Sequence, residues 1–181
     1  RLFFNREYNF LNNDTFGYSL IYSPRRIDDR LGRGTGDFRV PGRPAINFSY
    51  ETDTSKPLSL NAGIEFGRED LGPARVISNA GLSWRPTDVF SANLGLDYTD
   101  SEAILVHRGR GAYTSYEGHQ WSPNFELNYF ISAWQQLRMT IQWNSLKAFE
   151  DRFWQVSPNK VDFLQPVAKP NTTPDDFVIS R

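Results

Sequence analysis

Between Lys56 and Ala148 the chain repeats one unit: a run of about ten to thirteen residues that alternates apolar and polar side chains, then a break. Leu58, Leu60, Ala62, Ile64 and Phe66 stand against Ser59, Asn61, Gly63, Glu65 and Gly67. Val76, Ala80, Leu82 and Trp84 stand against Asn79, Gly81, Ser83 and Arg85. The clearest run sets Phe90, Ala92, Leu94, Leu96 and Tyr98 against Ser91, Asn93, Gly95, Asp97 and Thr99. Two more set Phe125, Leu127, Tyr129 and Ile131 against Asn124, Glu126 and Asn128, then Leu137, Met139, Ile141 and Trp143 against Arg138, Thr140, Gln142 and Asn144. A period of two is the mark of an extended strand with one apolar face.

The pattern predicts strands over 2–10, 15–24, 43–52, 57–68, 75–85, 89–100, 120–131 and 136–148, and a last one starting at Phe177. The breaks at Asn12 to Asp14, Asp53 to Lys56, Pro86 to Asp88 and Ser132 to Gln135 are tight and rich in turn formers. The others, Arg25 to Gly42, Glu69 to Ala74, Ser101 to His119 and Phe149 to Asp176, are mostly long. In an up-and-down antiparallel meander alternate connections lie at opposite ends, so one end is trimmed and the other decorated. Outer-membrane barrels share that asymmetry. A tilted strand needs about 9 to 11 residues to cross a bilayer, whereas strands of soluble sheets have a mode near 5 to 6. The expected fold is all-β: an antiparallel up-and-down meander, part of an outer-membrane-type β-barrel, with residues 1–181 as a single barrel segment. Trp84 and Phe90 flank one tight break, and Phe130 and Trp134 the next, where an interfacial girdle would stand. The alternation that restarts at Phe177, and the opening at Arg1 without a leader, are read as an incomplete barrel with further strands outside the chain.

Composition narrows the function. The net charge of -1, from 20 basic and 21 acidic residues, gives no electrostatic footprint for nucleic acid. Cysteine is absent, which removes disulfides, thiolate metal sites and a cysteine nucleophile together. No run of eighteen apolar residues suggests a membrane helix. Aromatic residues make up 15% of a chain whose mean hydropathy is -0.56, a combination expected when a lipid-facing band alternates with a polar lumen. Asn61, Glu65, Asn79, Asn93, Asp97, Glu126, Asn128, Arg138 and Gln142 would then line or fill that lumen.

Candidate chemistry is sparse. His107, Arg108, Arg110, Tyr113, Tyr116, Glu117, His119 and Trp121 fall in or beside one break, expected to be an exposed loop, and offer hydrogen-bonding groups and flat apolar faces suited to a sugar or polar polymer. Two histidines twelve positions apart, with no third ligand, predict no metal site. Gly32, Gly34 and Gly36 lack the flanking strand and helix of a phosphate cradle and read as loop. Acidic pairs such as Asp28 with Asp29, Glu69 with Asp70, Glu150 with Asp151 and Asp175 with Asp176 read as solvated loop edges, not as calcium sites. No nucleophile elbow occurs, so no enzyme activity and no cofactor is expected.

Six short stretches carry a resemblance: Ser55-Lys-Pro-Leu-Ser-Leu60, Trp84-Arg-Pro-Thr-Asp88, His107 through Gly109 with Tyr113 and Tyr116, Gln120-Trp-Ser-Pro123, Leu127-Asn-Tyr-Phe130, and Gln136-Leu-Arg138 with Gln142-Trp143. From about Ser23 onward the chain resembles the C-terminal region of a bacterial family of unknown function, whose members typically join an N-terminal family-nine-like carbohydrate-binding domain to an outer-membrane β-barrel. The stretches fall in the barrel region of that family, and the sugar-binding domain is expected to lie outside these residues. The resemblance implies location in the bacterial outer membrane, the lipid bilayer as partner with other envelope proteins beside it, and a link to carbohydrate. The expected role is a barrel segment with a structural or transport function. Two rivals stand beside it: a soluble all-β glycan-binding module, and the barrel wall of an energy-coupled nutrient receptor.

Overall fold

The structure is a computed structural model that describes residues 1–31, 36–157, 161–170 and 175–180. One large antiparallel sheet is built in meander order, from β1 (Leu2–Asn9) and β2 (Thr15–Ser23) through β5 (Arg43–Glu51), β6 (Leu58–Arg68) and β7 (Ala74–Thr87) to β8 (Phe90–Gly109) and β9 (Ala112–Ser132). The far side of β9 is shared by β10 (Gln135–Gln142) on its lower half and β11 (Ser145–Gln155) on its upper half. β12 (Gln165–Val167) and β13 (Phe177–Ser180) pair with β11, and a separate short hairpin, β3 (Arg26–Asp28) with β4 (Phe38–Val40), rises from the connection between β2 and β5.

Rows of opposed residues run across the strands, so their stagger against the turns measures tilt. Phe16 and Tyr50, each beside a tight turn, share a row that continues through Ala62, Ala80, Leu96 and Pro123. β8 begins at Phe90, six residues below Leu96, whereas Phe16 stands one residue above the start of β2, so the row has climbed five residues over four interstrand steps. Five residues are about 17 Å along the strand, against four interstrand steps of about 4.8 Å, which gives a tilt of roughly 40°.

The two faces differ as the alternation requires. Leu58, Leu94 and Ile141 on the apolar face are 52%, 52% and 55% exposed. Aromatic rings gather at both ends of that face. Trp84, Phe90 and Tyr129 contact one another in turn near the tight turns, with centroids 5.4 and 6.2 Å apart, and Tyr98 lies 4.3 Å from Trp121 eight residues higher on β8. The polar face is held by cross-strand pairs, Arg75 donating to Glu65 at 2.7 Å and Arg138 to Asn128 at 2.8 Å, and Arg43 reaches Asp70 in the connection between β6 and β7 at 2.5 Å. On this face Asn61, Gly81, Gly95 and Asn124 form one row. A Cβ on either glycine would fall 2.6 Å from the neighbouring asparagine side chain, so the glycines leave room for those amides against the wall.

Residues Ser101 to His119 are not a loop. β8 and β9 stay paired to a tight turn at Arg110 and Gly111, where Gly109, Arg110 and Gly111 all take positive φ. β11 continues beside them to Gln155, so the long connections carry strand of their own. The predicted strand 136–148 is in fact two, interrupted at Trp143 and Asn144. Gly36 takes a φ of 137° beside the Val156 side chain, while Gly32 and Gly34 lie outside the described residues.

The expectation that this region is exposed is overturned, because a small core closes over it. Phe38 and Val40, both 0% exposed, descend from the β3–β4 hairpin onto Tyr113, Val156 and Leu164, with Leu31, Leu71, Leu105 and Trp154 at the margin. Phe38 meets the Tyr113 ring edge-on at 5.3 Å, and the Arg39 N–H donates to the Asp162 carbonyl at 2.9 Å. Tyr116 is buried on the opposite side of β9, against Phe177.

At the other end two tight turns are stapled together. The Tyr50 hydroxyl donates to Asp14 at 2.5 Å and the Asp53 N–H at 3.1 Å, while Asp53 accepts from the Ser55 hydroxyl and N–H at 2.6 and 2.9 Å. The Tyr50 hydrogen bond holds the Asp14 carboxyl below the usual carboxylate range, and the Ser55 bonds do the same for Asp53. Depressed folded-state values mean that this contribution is present above about pH 4 and is lost as pH falls through the folded values. Asp14→Asn is expected to lower stability at neutral pH and to leave a shallower loss below pH 4. Denaturant unfolding at pH 3 and pH 7 checks this; an unchanged difference between the two pH values contradicts it.

Candidate functional site

The eight residues singled out from the sequence do not converge on one site. His107 and Tyr113 face the β3–β4 hairpin, with ring centroids 5.0 Å apart. Arg110 occupies the turn, where its carbonyl accepts from Gln155 at 3.1 Å, and Glu117 is exposed. His119 opposes Asp100 with Nδ1 3.0 Å from the carboxylate, and Trp121 lies on the apolar face against Tyr98. These last two belong to the upper border of the apolar face.

Arg108 and Tyr116 do come together, on the polar-face side of the β8–β9 extension. The Arg108 guanidinium donates to Asp175 at 2.7 Å, to Thr114 at 3.3 Å and to the Tyr116 hydroxyl, and lies 3.7 Å from Glu150. The bond to Asp175 pushes the Arg108 pKa up, and burial raises the Tyr113 and Tyr116 hydroxyls. Glu150 sits opposite Tyr116 in the register; its side chain is 3% exposed and its N–H donates to Asp176 at 2.8 Å. Lys169 brings Nζ to 3.3 Å from Glu150 Oε2 and 6.0 Å from the centre of the Phe153 ring.

Arg108, Thr114, Glu150, Phe153, Val167 and Asp175 border a cleft of about 450 Å³, and Lys169 reaches Glu150 from beside Pro170, a further wall residue. β11 supplies Glu150 and Phe153, and β12 places Val167 beside Phe153. The sequence pattern marks Glu150 and Asp175 only as solvated loop edges and gives no signal at Phe153 or Lys169. No spacing rule could have joined them, since the cleft exists only because β11 continues past Ala148. Among the described residues, no group of three or more histidine, cysteine or carboxylate side chains is placed to hold a metal ion.

No protein-family model matches the chain, and neither does any curated protein or solved structure.

Proposed function

We propose that this chain forms part of the wall of a β-barrel in a bacterial outer membrane, its apolar face toward lipid and its polar face toward the lumen, in a structural or transport role. The observation that carries the reading is the continuous apolar face, open along strands inclined at roughly 40°, within the range of about 35–45° found in outer-membrane barrels. The border rings support it. Phe90 to Tyr98 spans about 27 Å of strand, or about 20 Å along the membrane normal after tilt, close to the apolar band of such barrels. Just above Tyr98 and Trp121 the same face turns polar at Asp100, His119 and Lys147, where strands leaving a bilayer would meet headgroups and water. The tight turns then face the periplasm and the folded cap faces outward. A tie to carbohydrate handling rests on the family resemblance alone.

The soluble glycan-binding alternative needs a second layer over the apolar face. Extraction separates the two readings: the chain is expected to be monodisperse in detergent and to aggregate when detergent is removed. A monodisperse sample in detergent-free buffer would favour the soluble module.

A further inference from the structure

We propose that the cleft bordered by β11 and β12 is a binding site for an organic ammonium group, whose place on Glu150 is taken by the tethered ammonium of Lys169. The inference stands apart from the membrane reading, because it uses only the extension of β8, β9 and β11 above the apolar face and β12, Lys169 and Asp175 beside it.

Glu150 is the starting point. Its carboxylate is almost wholly buried, and among the described residues Oε2 has no hydrogen-bond partner. Burying a charge is costly unless it is both paired and hydrogen-bonded. Arg108 does not supply the missing bond, since its guanidinium is already engaged by Thr114, Asp175 and Tyr116. What approaches Oε2 is the Lys169 ammonium, at ion-pair distance and over the Phe153 ring. A buried carboxylate beside an aromatic face is the pairing that recognises an alkylammonium, through charge and cation–π attraction. Lys169 is 48% exposed and its stem is long, so its ammonium can leave without unfolding the cleft.

A free amine entering as Lys169 leaves exchanges one cation for another, and no new charge is buried. The space of about 450 Å³ lies within the usual size of small-molecule sites, and Val167 and Phe153 would take an apolar body attached to the amine. A simple anion is disfavoured by Glu150 and Asp175 together.

The test uses n-pentylammonium chloride titrated into the folded chain, followed by calorimetry and by the change in tryptophan emission, to which Trp154 at the cleft contributes. Lys169→Met should bind the amine saturably and about tenfold or more tighter than the unaltered chain, because the competing tether is gone. Glu150→Gln in the Lys169→Met background should weaken binding by more than about tenfold. Equal binding with and without Lys169, equal binding with and without Glu150, absence of binding to a Lys169→Met chain with unchanged circular dichroism, or the same response to sodium chloride would each overturn the proposal. Should Lys169→Met fail to fold, Lys169→Gln serves the same comparison.

Discussion

Phe38→Ala is expected to unseat the cap. The ring is fully buried between β4 and Tyr113, and truncating a core phenylalanine costs about 3–5 kcal/mol through lost transfer energy and the cavity left behind. The core over the extension is small, with Val40, Tyr113, Val156 and Leu164 as its other buried members, so this loss falls on a unit with little to spare. The expected result is local: amide exchange accelerates across 38–40, 112–116 and 154–156, while the amides of β6 and β7 stay protected. Arg39→Ala, one residue away and exposed, should change little. Tyr113→Ala should behave like Phe38→Ala, the reverse of what an exposed loop would allow. Equal exchange in Phe38→Ala and Arg39→Ala would show that the cap does not depend on this packing.

Leu94→Arg is expected to impair assembly in a bilayer far more than Asn93→Arg. Leu94 lies between Leu82 and Phe125 on the apolar face, well inside the aromatic borders, and on the proposed lipid-facing side a cation costs about 2–4 kcal/mol near the midplane. Asn93 points the other way, between Ser83 and Glu126, where an arginine meets a carboxylate. The folded fraction recovered after refolding into lipid vesicles measures the difference. Equal tolerance would count against the assignment of faces.

The sheet was legible in the sequence because a sheet with unlike faces writes its geometry into every second residue. The predicted strand 57–68 stands at Leu58–Arg68 and the predicted 43–52 at Arg43–Glu51, each within a residue at both ends. The cap was not legible, for the same physical reason. Tyr113 to Tyr116 are covered on both sides, by the β3–β4 hairpin on one and by Arg108 and Phe177 on the other, so polar and apolar residues no longer sort by face. Bulges between Ser101 and Ile104 and between Glu150 and Arg152 shift the alternation further. β3 and β4, three residues each, are too short to show a period at all. The cleft was hidden a step deeper, since Glu150, Lys169 and Asp175 meet only through tertiary structure.

Because the chain has no cysteine, single introduced thiols can report which face meets lipid. The most direct test places Leu94→Cys and Asn93→Cys in vesicle-reconstituted protein and labels each with a membrane-dissolved maleimide and with a charged, water-borne one. The account predicts that Leu94→Cys reacts from the lipid and is shielded from the charged reagent, whereas Asn93→Cys does the opposite. A thiol at 94 reached only from water, with the one at 93 reached from lipid, would contradict it.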